Sequence, residues 1–161
     1  MTIDEYNNAV ESYADNLYRF ILKNCGKEDL ARDVVQDSFE RLWLKLETVE
    51  GVKGKSYLFT TAYHRMLDIL KKEKRIGELD KPEENLLQHS DQYTDLSEVL
   101  HEALERLPEI QRTVILLRDY EGYSYEEIGE ITGLKESQVK AYIYRGRMSL
   151  KNQLVSIENI I

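Results

Sequence analysis

The sequence predicts an all-α protein with two small helical domains joined by a flexible linker, the second containing a helix-turn-helix. Apolar residues recur at spacings of three and four along the 161 residues, and no sustained strand-like alternation interrupts them. Helix-start signals, in which an N-cap residue is followed three positions later by Glu, stand at Asp95 and at Ser124. Between the two helical parts, periodicity is lost around Pro82 and its acidic neighbours. We therefore expect domains at 1–76 and 95–161, with an acidic linker at 77–94.

Three helices are expected in the first domain. The first covers about 4–23 and ends at Gly26, and the second covers about 28–47. A loop with two glycines follows, and Ser56 is a plausible N-cap for a third helix reaching residue 74. The apolar stripes are formed by Tyr6, Val10, Tyr13, Leu17, Phe20 and Ile21, by Leu30, Val34, Phe39, Leu42, Trp43 and Leu46, and by Leu58, Ala62, Met66, Ile69 and Leu70.

The second domain begins with a capping box and contains two further start signals. Asp95 with Glu98 opens one helix, and Pro108 suits the first turn of the next. Ser124 with Glu127 then starts the first helix of a helix-turn-helix. The turn is indicated by Gly129, Gly133 and Leu134, and the second helix is anchored by Val139 and Ile143.

The last helix is basic in an acidic chain. The protein carries a net charge of -8, yet residues 135–151 hold five bases against the single acid Glu136. Such a local excess of cations favours an anionic partner, most simply duplex DNA. A helix pair with a Gly-containing turn is also common in proteins that bind no DNA, and cations near a helix C-terminus offset its dipole.

Composition narrows the classes of protein to which this chain can belong. No apolar run approaches the roughly 20 residues of a membrane span, and the acidic N-terminal stretch is unlike a secretion signal, so no stable membrane insertion is expected. The single Cys25 suits a reduced cytoplasmic location. The histidines His64, His89 and His101 are scattered, and we find no nucleophile–base set and no glycine-rich phosphate loop. We therefore expect no catalytic residues, no metal and no cofactor.

Two separated segments resemble one family. The C-terminal stretch resembles the −35-binding domain of bacterial sigma factors, and the N-terminal stretch resembles their domain for core polymerase and the −10 element. The first match rests on Leu107, Pro108, Arg112, Leu116, Leu117, Gly122, Ser124, Tyr125, Glu127, Ile128, Gly133, Leu134, Val139, Lys140, Arg145, Arg147 and Leu150. The second rests on Ala31, Asp33, Val34, Val35, Gln36, Asp37, Phe39, Leu42, Trp43, Leu58, Ala62, Leu67, Asp68, Lys74 and Arg75. The order and spacing resemble an extracytoplasmic-function (ECF) sigma factor of the sigma-70 superfamily.

The resemblance implies a docking surface on the second helix for the clamp helices of the largest polymerase subunit. Acids there would offer acceptors to basic partners, although a solvated acidic face is the simpler interpretation. Phe39 and Trp43 are expected in the core, because large aromatic residues usually pack inside. The implied polymerase-binding residues are Asp33, Gln36, Asp37, Glu40 and Arg41.

The resemblance further implies that the third helix holds the −10 element as single-stranded DNA. Aromatic faces and cations can hold unstacked bases, and the loop at about 47–55 would form a pocket for a flipped base. For Phe59 and Tyr63, a place in the core is the alternative. The implied −10 contacts are Tyr57, Phe59, Tyr63, His64, Arg65, Lys71, Lys72, Lys74 and Arg75.

The last helix would read the −35 element in the major groove. Four residues share one helical face by their spacing: Gln138, Ala141, Tyr142 and Arg145. Family members often have Ala at the position of Gly129 and Ser or Thr at that of Lys135. The implied −35 contacts are Ser137, Gln138, Lys140, Ala141, Tyr142, Tyr144, Arg145 and Arg147.

Three functions remain to be compared. A promoter-specificity subunit, with core RNA polymerase, promoter DNA and an anti-sigma factor as partners, accounts for both segments. A stand-alone helix-turn-helix regulator accounts for 107–150 but leaves the acidic and apolar helix at 31–43 without a role. A small helical enzyme lacks a recognisable site. The overall acidity predicts that the chain binds DNA weakly without its partner.

Overall fold

The structure, a computed structural model, describes residues 1–77 and 96–158, and all of its regular elements are helical. They are α1 (Ile3–Cys25), α2 (Glu28–Leu44), a 3₁₀ turn (Gly51–Lys53), α3 (Gly54–Gly77), α4 (Leu96–Glu105), α5 (Glu109–Ile115), which continues into a π-helical turn (Leu116–Tyr120), α6 (Tyr125–Thr132) and α7 (Glu136–Glu158). The predicted helical class is confirmed. Of the predicted linker, Gly77 ends α3, while 78–94 lie outside the described residues, as does Asp95 of the predicted capping box.

Capping explains where α1 and α6 begin. In α6 the Ser124 hydroxyl accepts from the Glu127 N–H at 3.1 Å, and the Glu127 carboxylate accepts from the Ser124 N–H at 3.0 Å. This confirms the predicted capping box. The predicted N-cap of α3 is wrong: α3 begins at Gly54, and the Ser56 hydroxyl donates to the Lys53 carbonyl at 3.1 Å instead.

The helical phase of α2 exposes a residue expected in the core. Val34, Phe39 and Leu42 are buried, but Trp43 lies about 100° further round the helix and is 47% exposed. Its ring makes an edge contact with Tyr6, at 5.1 Å between centroids. The prediction that Trp43 is a core residue is therefore wrong.

One continuous apolar core joins α1–α3 to the C-terminal helices. Phe59 of α3 is fully buried, with its ring centroid 5.3 Å from that of Phe20 and 5.5 Å from that of Tyr123. The same core includes Val114, Leu117, Ile128, Ile131, Val139 and Ile143. The two helical groups, α1–α3 and α4–α7, thus pack directly against each other in this conformation.

A polar network crosses the same contact between α1 and α5. The Asn24 side-chain NH₂ donates to Thr113 Oγ1 at 2.9 Å, and Arg112 Nε donates to Asn24 Oδ1 at 3.2 Å. Asn24 and Thr113 are both buried. Because a buried polar group is costly without its partner, this network favours one register of the two groups.

No helix in the described parts of the chain is long and apolar enough to cross a membrane.

Candidate functional site

The turn between α6 and α7 is built by two glycines. Gly133 has φ +80°, a left-handed conformation that favours glycine, and its N–H donates to the Gly129 carbonyl at 2.8 Å. A Cβ on Gly129 would lie 2.8 Å from the Leu134 carbonyl oxygen. An alanine at position 129 would therefore require a small displacement of the turn. This close approach is a structural reason for glycine at this position.

The reading face of α7, which is the face shared by Gln138, Ala141, Tyr142 and Arg145, is largely accessible to solvent. Gln138 and Arg145 are exposed, while Ala141 and Tyr142 are half-buried. The Arg145 guanidinium lies 5.9 Å from the Tyr142 ring centroid. The flanking positions Ser137 and Tyr144 are also exposed. The structure thus gathers the residues expected to face a major groove onto one accessible side.

Two cations assigned to DNA are engaged within the protein. Arg147 donates from Nε to Asp119 Oδ2 at 3.2 Å and pairs a second time with the other carboxylate oxygen. Lys140 pairs with Glu136 at 3.6 Å and lies 5.5 Å from the Tyr125 ring centroid. Arg147 therefore joins α7 to the π-helical turn through Asp119, and its role as a DNA contact stays a prediction.

The aromatic part of the predicted −10 surface is covered. Phe59 and Tyr63 are buried, and burial raises the pKa of the Tyr63 hydroxyl, which faces Glu109 and Thr113. Their assignment as DNA contacts does not hold in this conformation. The alternative expectation, that they are core residues, describes what is observed, because α5 and the Tyr123 segment pack over α3.

The basic residues of that surface differ in their surroundings, because one is paired within the protein and others are exposed. Arg65 pairs with Asp37 of α2, its Nε 3.3 Å from Oδ2, and Asp37 also pairs with Arg41 at 3.3 Å. Arg65 and Asp37, expected in two different binding surfaces, are thus partners of each other. His64 and the basic residues Lys71, Lys72, Lys74 and Arg75 are exposed on α3.

A cavity of about 340 Å³ lies beside the loop that was expected to take a flipped base. The loop supplies Glu50 and Lys53, α3 supplies Tyr57, and α6 closes one side with Glu130 and Ile131. The remaining lining residues are Thr48, Val49, Ser56 and Thr60. The volume falls in the range of small-ligand sites, about 300–1,000 Å³.

The expected polymerase-docking face lies on the solvent side of α2. Asp33, Gln36, Glu40 and Arg41 are exposed, and Asp37 is half-buried by its ion pairs. Neither of the two exposed acids, Glu40 and Asp33, has an ion pair in the described chain; Glu40 accepts a hydrogen bond from Gln36 Nε2 at 3.5 Å, whereas none is found for the Asp33 carboxylate. Asp33 is therefore the most direct position at which to test whether this face of α2 docks on the polymerase.

Asn24 and Thr113 were missed at the sequence level. Asn24 follows Phe20 and Ile21 at helical spacing, so it occupies the next turn of the apolar stripe of α1. Thr113 precedes the apolar run that starts at Val114. A polar residue in phase with a buried stripe was the available signal for a buried hydrogen bond between helices.

Family comparisons assign both helical groups. The model of sigma-70 region 2 matches residues 9–76, and the model of sigma-70 region 4 matches residues 97–150. The first match contains α2 and nearly all of α3, and the second contains the helix-turn-helix.

Individual relatives match over nearly the whole chain. The RNA polymerase sigma factor SigV of Bacillus subtilis is 32% identical over 148 residues, covering 90% of this chain and 88% of the relative. The ECF sigma factor SigM of the same species is 28% identical over 159 residues, covering 94% of each. Among solved structures, the sigma factor RpoE of Bartonella quintana, in complex with the anti-sigma factor NepR, has a TM-score of 0.82 at 27% identity and covers 94% of this chain and 98% of its own.

Proposed function

Because this chain belongs to the sigma-70 family, within the extracytoplasmic-function group, we propose that it binds core RNA polymerase, directs it to specific promoters and helps to melt the −10 region. One observation carries this conclusion: regions 2 and 4 follow each other along one chain, as in relatives that are themselves named sigma factors. This function requires the chain to bind core polymerase and promoters, and it requires no catalysis by the chain itself. It also implies that the protein is located where the polymerase acts.

We assign core binding to the exposed face of α2, with Asp33, Gln36, Glu40 and Arg41 as its accessible side chains. Exposed acids can pair with basic groups of a partner, and Trp43 adds an accessible apolar surface at the end of the same helix. Asp37 acts indirectly in this arrangement, because its carboxylate orients Arg41 and Arg65.

Asp33→Lys is expected to weaken binding to core polymerase about tenfold or more, because it sets a cation against a basic partner surface. The matched control is Glu11→Lys, which makes the same charge change at an exposed acid of α1. Affinity is measured by titrating labelled protein with core polymerase, and circular dichroism checks that both variants stay helical. Equal affinities for the two variants would reject α2 as the docking face.

We propose that the described conformation is a closed state and that core polymerase separates the two helical groups. Phe59, Tyr63 and one wall of the cavity are covered by the C-terminal helices, so contacts to a melted strand need this interface to open. Promoter reading would then use the exposed face of α7 together with the uncovered face of α3.

An anti-sigma factor is the further partner that we propose. The similar RpoE structure is itself a complex with an anti-sigma factor. A partner that stabilises contact between the two helical groups would keep the α3 aromatics covered, and so would hold this chain away from promoters.

A further inference from the structure

The N-terminus of α7 is capped by a residue of its own reading face. The Val139 N–H donates to the Lys135 carbonyl at 3.0 Å, which makes Lys135 the N-cap residue. The Lys135 N–H in turn donates to Gln138 Oε1 at 2.9 Å. Lys135 has no side-chain acceptor to offer, so this is one half of a capping box, with Gln138 at its third helical position.

Two other helices for which the bond from the N-cap N–H to the third helical residue is described carry a glutamate at that position. In α1 and α6, Glu5 and Glu127 accept from the N-cap N–H at 3.0 Å each, and the N-cap hydroxyl completes the box. A carboxylate in that place leaves its second oxygen as a charged acceptor. An amide leaves an NH₂ group, which can only donate. Position 138 thus differs from its two counterparts in the kind of atom that it offers to solvent.

The cap determines which way the Gln138 amide points. Its oxygen must face the Lys135 N–H, because the amide nitrogen in that place would set one donor against another. The oxygen is therefore directed at the helix backbone. The NH₂ group is left on the exposed side, where the described residues offer it no hydrogen bond.

We propose that Gln138 is a donor-only specificity residue, held by its capping bond, which selects guanine or thymine at one position of the upstream promoter element. Guanine presents O6 and N7 and thymine presents O4 as acceptors in the major groove, whereas cytosine presents only the N4 donor and adenine sets its N6 donor beside the N7 acceptor, where it opposes a second donor. The usual paired bond from Gln to adenine N6 and N7 needs both ends of the amide, and one end is held by Lys135. This inference rests on the proposed promoter-reading role of α7.

The experiment measures transcription by core polymerase with this protein on promoters that carry each base at each upstream position. Wild type should favour guanine or thymine over cytosine about three- to tenfold at one position. Gln138→Glu keeps an oxygen for the Lys135 N–H and turns the outward atom into an acceptor, so it should shift the preference at that position toward cytosine or adenine. Gln138→Ala should remove the preference there.

Base ratios within each variant are compared, because Gln138→Glu also adds a negative charge that weakens binding to all sequences. The matched control is Glu127→Gln, which changes the same capping position of α6, outside the reading face, and should leave every base ratio unchanged. Arg145→Ala should relax a different position, which shows that the assay detects base reading by α7.

The outcomes separate the two claims. If wild type shows upstream preferences that neither Gln138 variant changes, the residue is only a helix cap and the inference is overturned while the proposed function stands. An adenine or cytosine preference at the position that Gln138→Ala relaxes would overturn the donor-only assignment. If wild type directs no promoter-specific transcription, the proposed function fails and this inference fails with it.

Discussion

Replacing Phe59 with alanine should lower the free energy of unfolding by about 3–5 kcal/mol, the usual cost of emptying a buried phenylalanine site. The ring is fully buried and packs between Phe20 of α1 and Tyr123, which precedes α6. Its loss would leave a cavity where the two helical groups meet, so both would lose support. Urea unfolding followed by circular dichroism measures the change.

Two controls isolate the packing of that ring. Leu44→Ala removes an equally apolar side chain that is 83% exposed, and it should change stability by no more than about 0.5 kcal/mol. Tyr123→Phe keeps the edge contact and removes a buried hydroxyl that lacks a hydrogen-bond partner in the described structure, so it should not destabilise. A loss below about 1 kcal/mol in Phe59→Ala would mean that Phe59 is not a core residue in solution.

Promoter DNA should bind the polymerase complex about 100-fold or more tightly than it binds the free protein. Phosphate neutralisation drives DNA binding, yet the chain has a net charge of -8 and Arg147 is committed to Asp119. The closed conformation also covers the α3 aromatics. Core polymerase would hold both helical groups at promoter spacing and so raise the effective concentration of the second group once the first is bound.

Fluorescence anisotropy on a labelled promoter duplex at about 0.15 M salt measures both affinities. The matched control is a duplex of equal length with a scrambled upstream element, which separates specific binding from general attraction to phosphate. Tight, sequence-specific binding by the free protein would contradict the closed state and support a stand-alone helix-turn-helix regulator.

Local signals in the sequence were sufficient to predict the helices and the helix-turn-helix. Ser124 with Glu127 and the left-handed Gly133 act within one or two turns of chain, so their effects can be predicted without the fold. The same helical period places Gln138, Ala141, Tyr142 and Arg145 on one face of α7, but it does not predict that Ala141 and Tyr142 are half-buried.

Contacts between distant segments could not be predicted in this way. Phe59 is covered by Tyr123, and the two residues are separated by 64 positions in the sequence. The pairs that join Arg65 to Asp37 and Arg147 to Asp119 likewise depend on how helices pack. Counting basic residues treats each as available to DNA, and only the packed arrangement shows which are already paired.

The central claim is that this chain directs core polymerase to specific promoters, and transcription from a random promoter library tests it most directly. Core polymerase is incubated with the library in the presence and absence of the protein, and the start sites of the transcripts are sequenced. We expect new start sites only in its presence, each preceded by two shared sequence elements at a fixed spacing, one for each helical group. Identical start sites with and without the protein, or new sites that share no upstream elements, would contradict the claim.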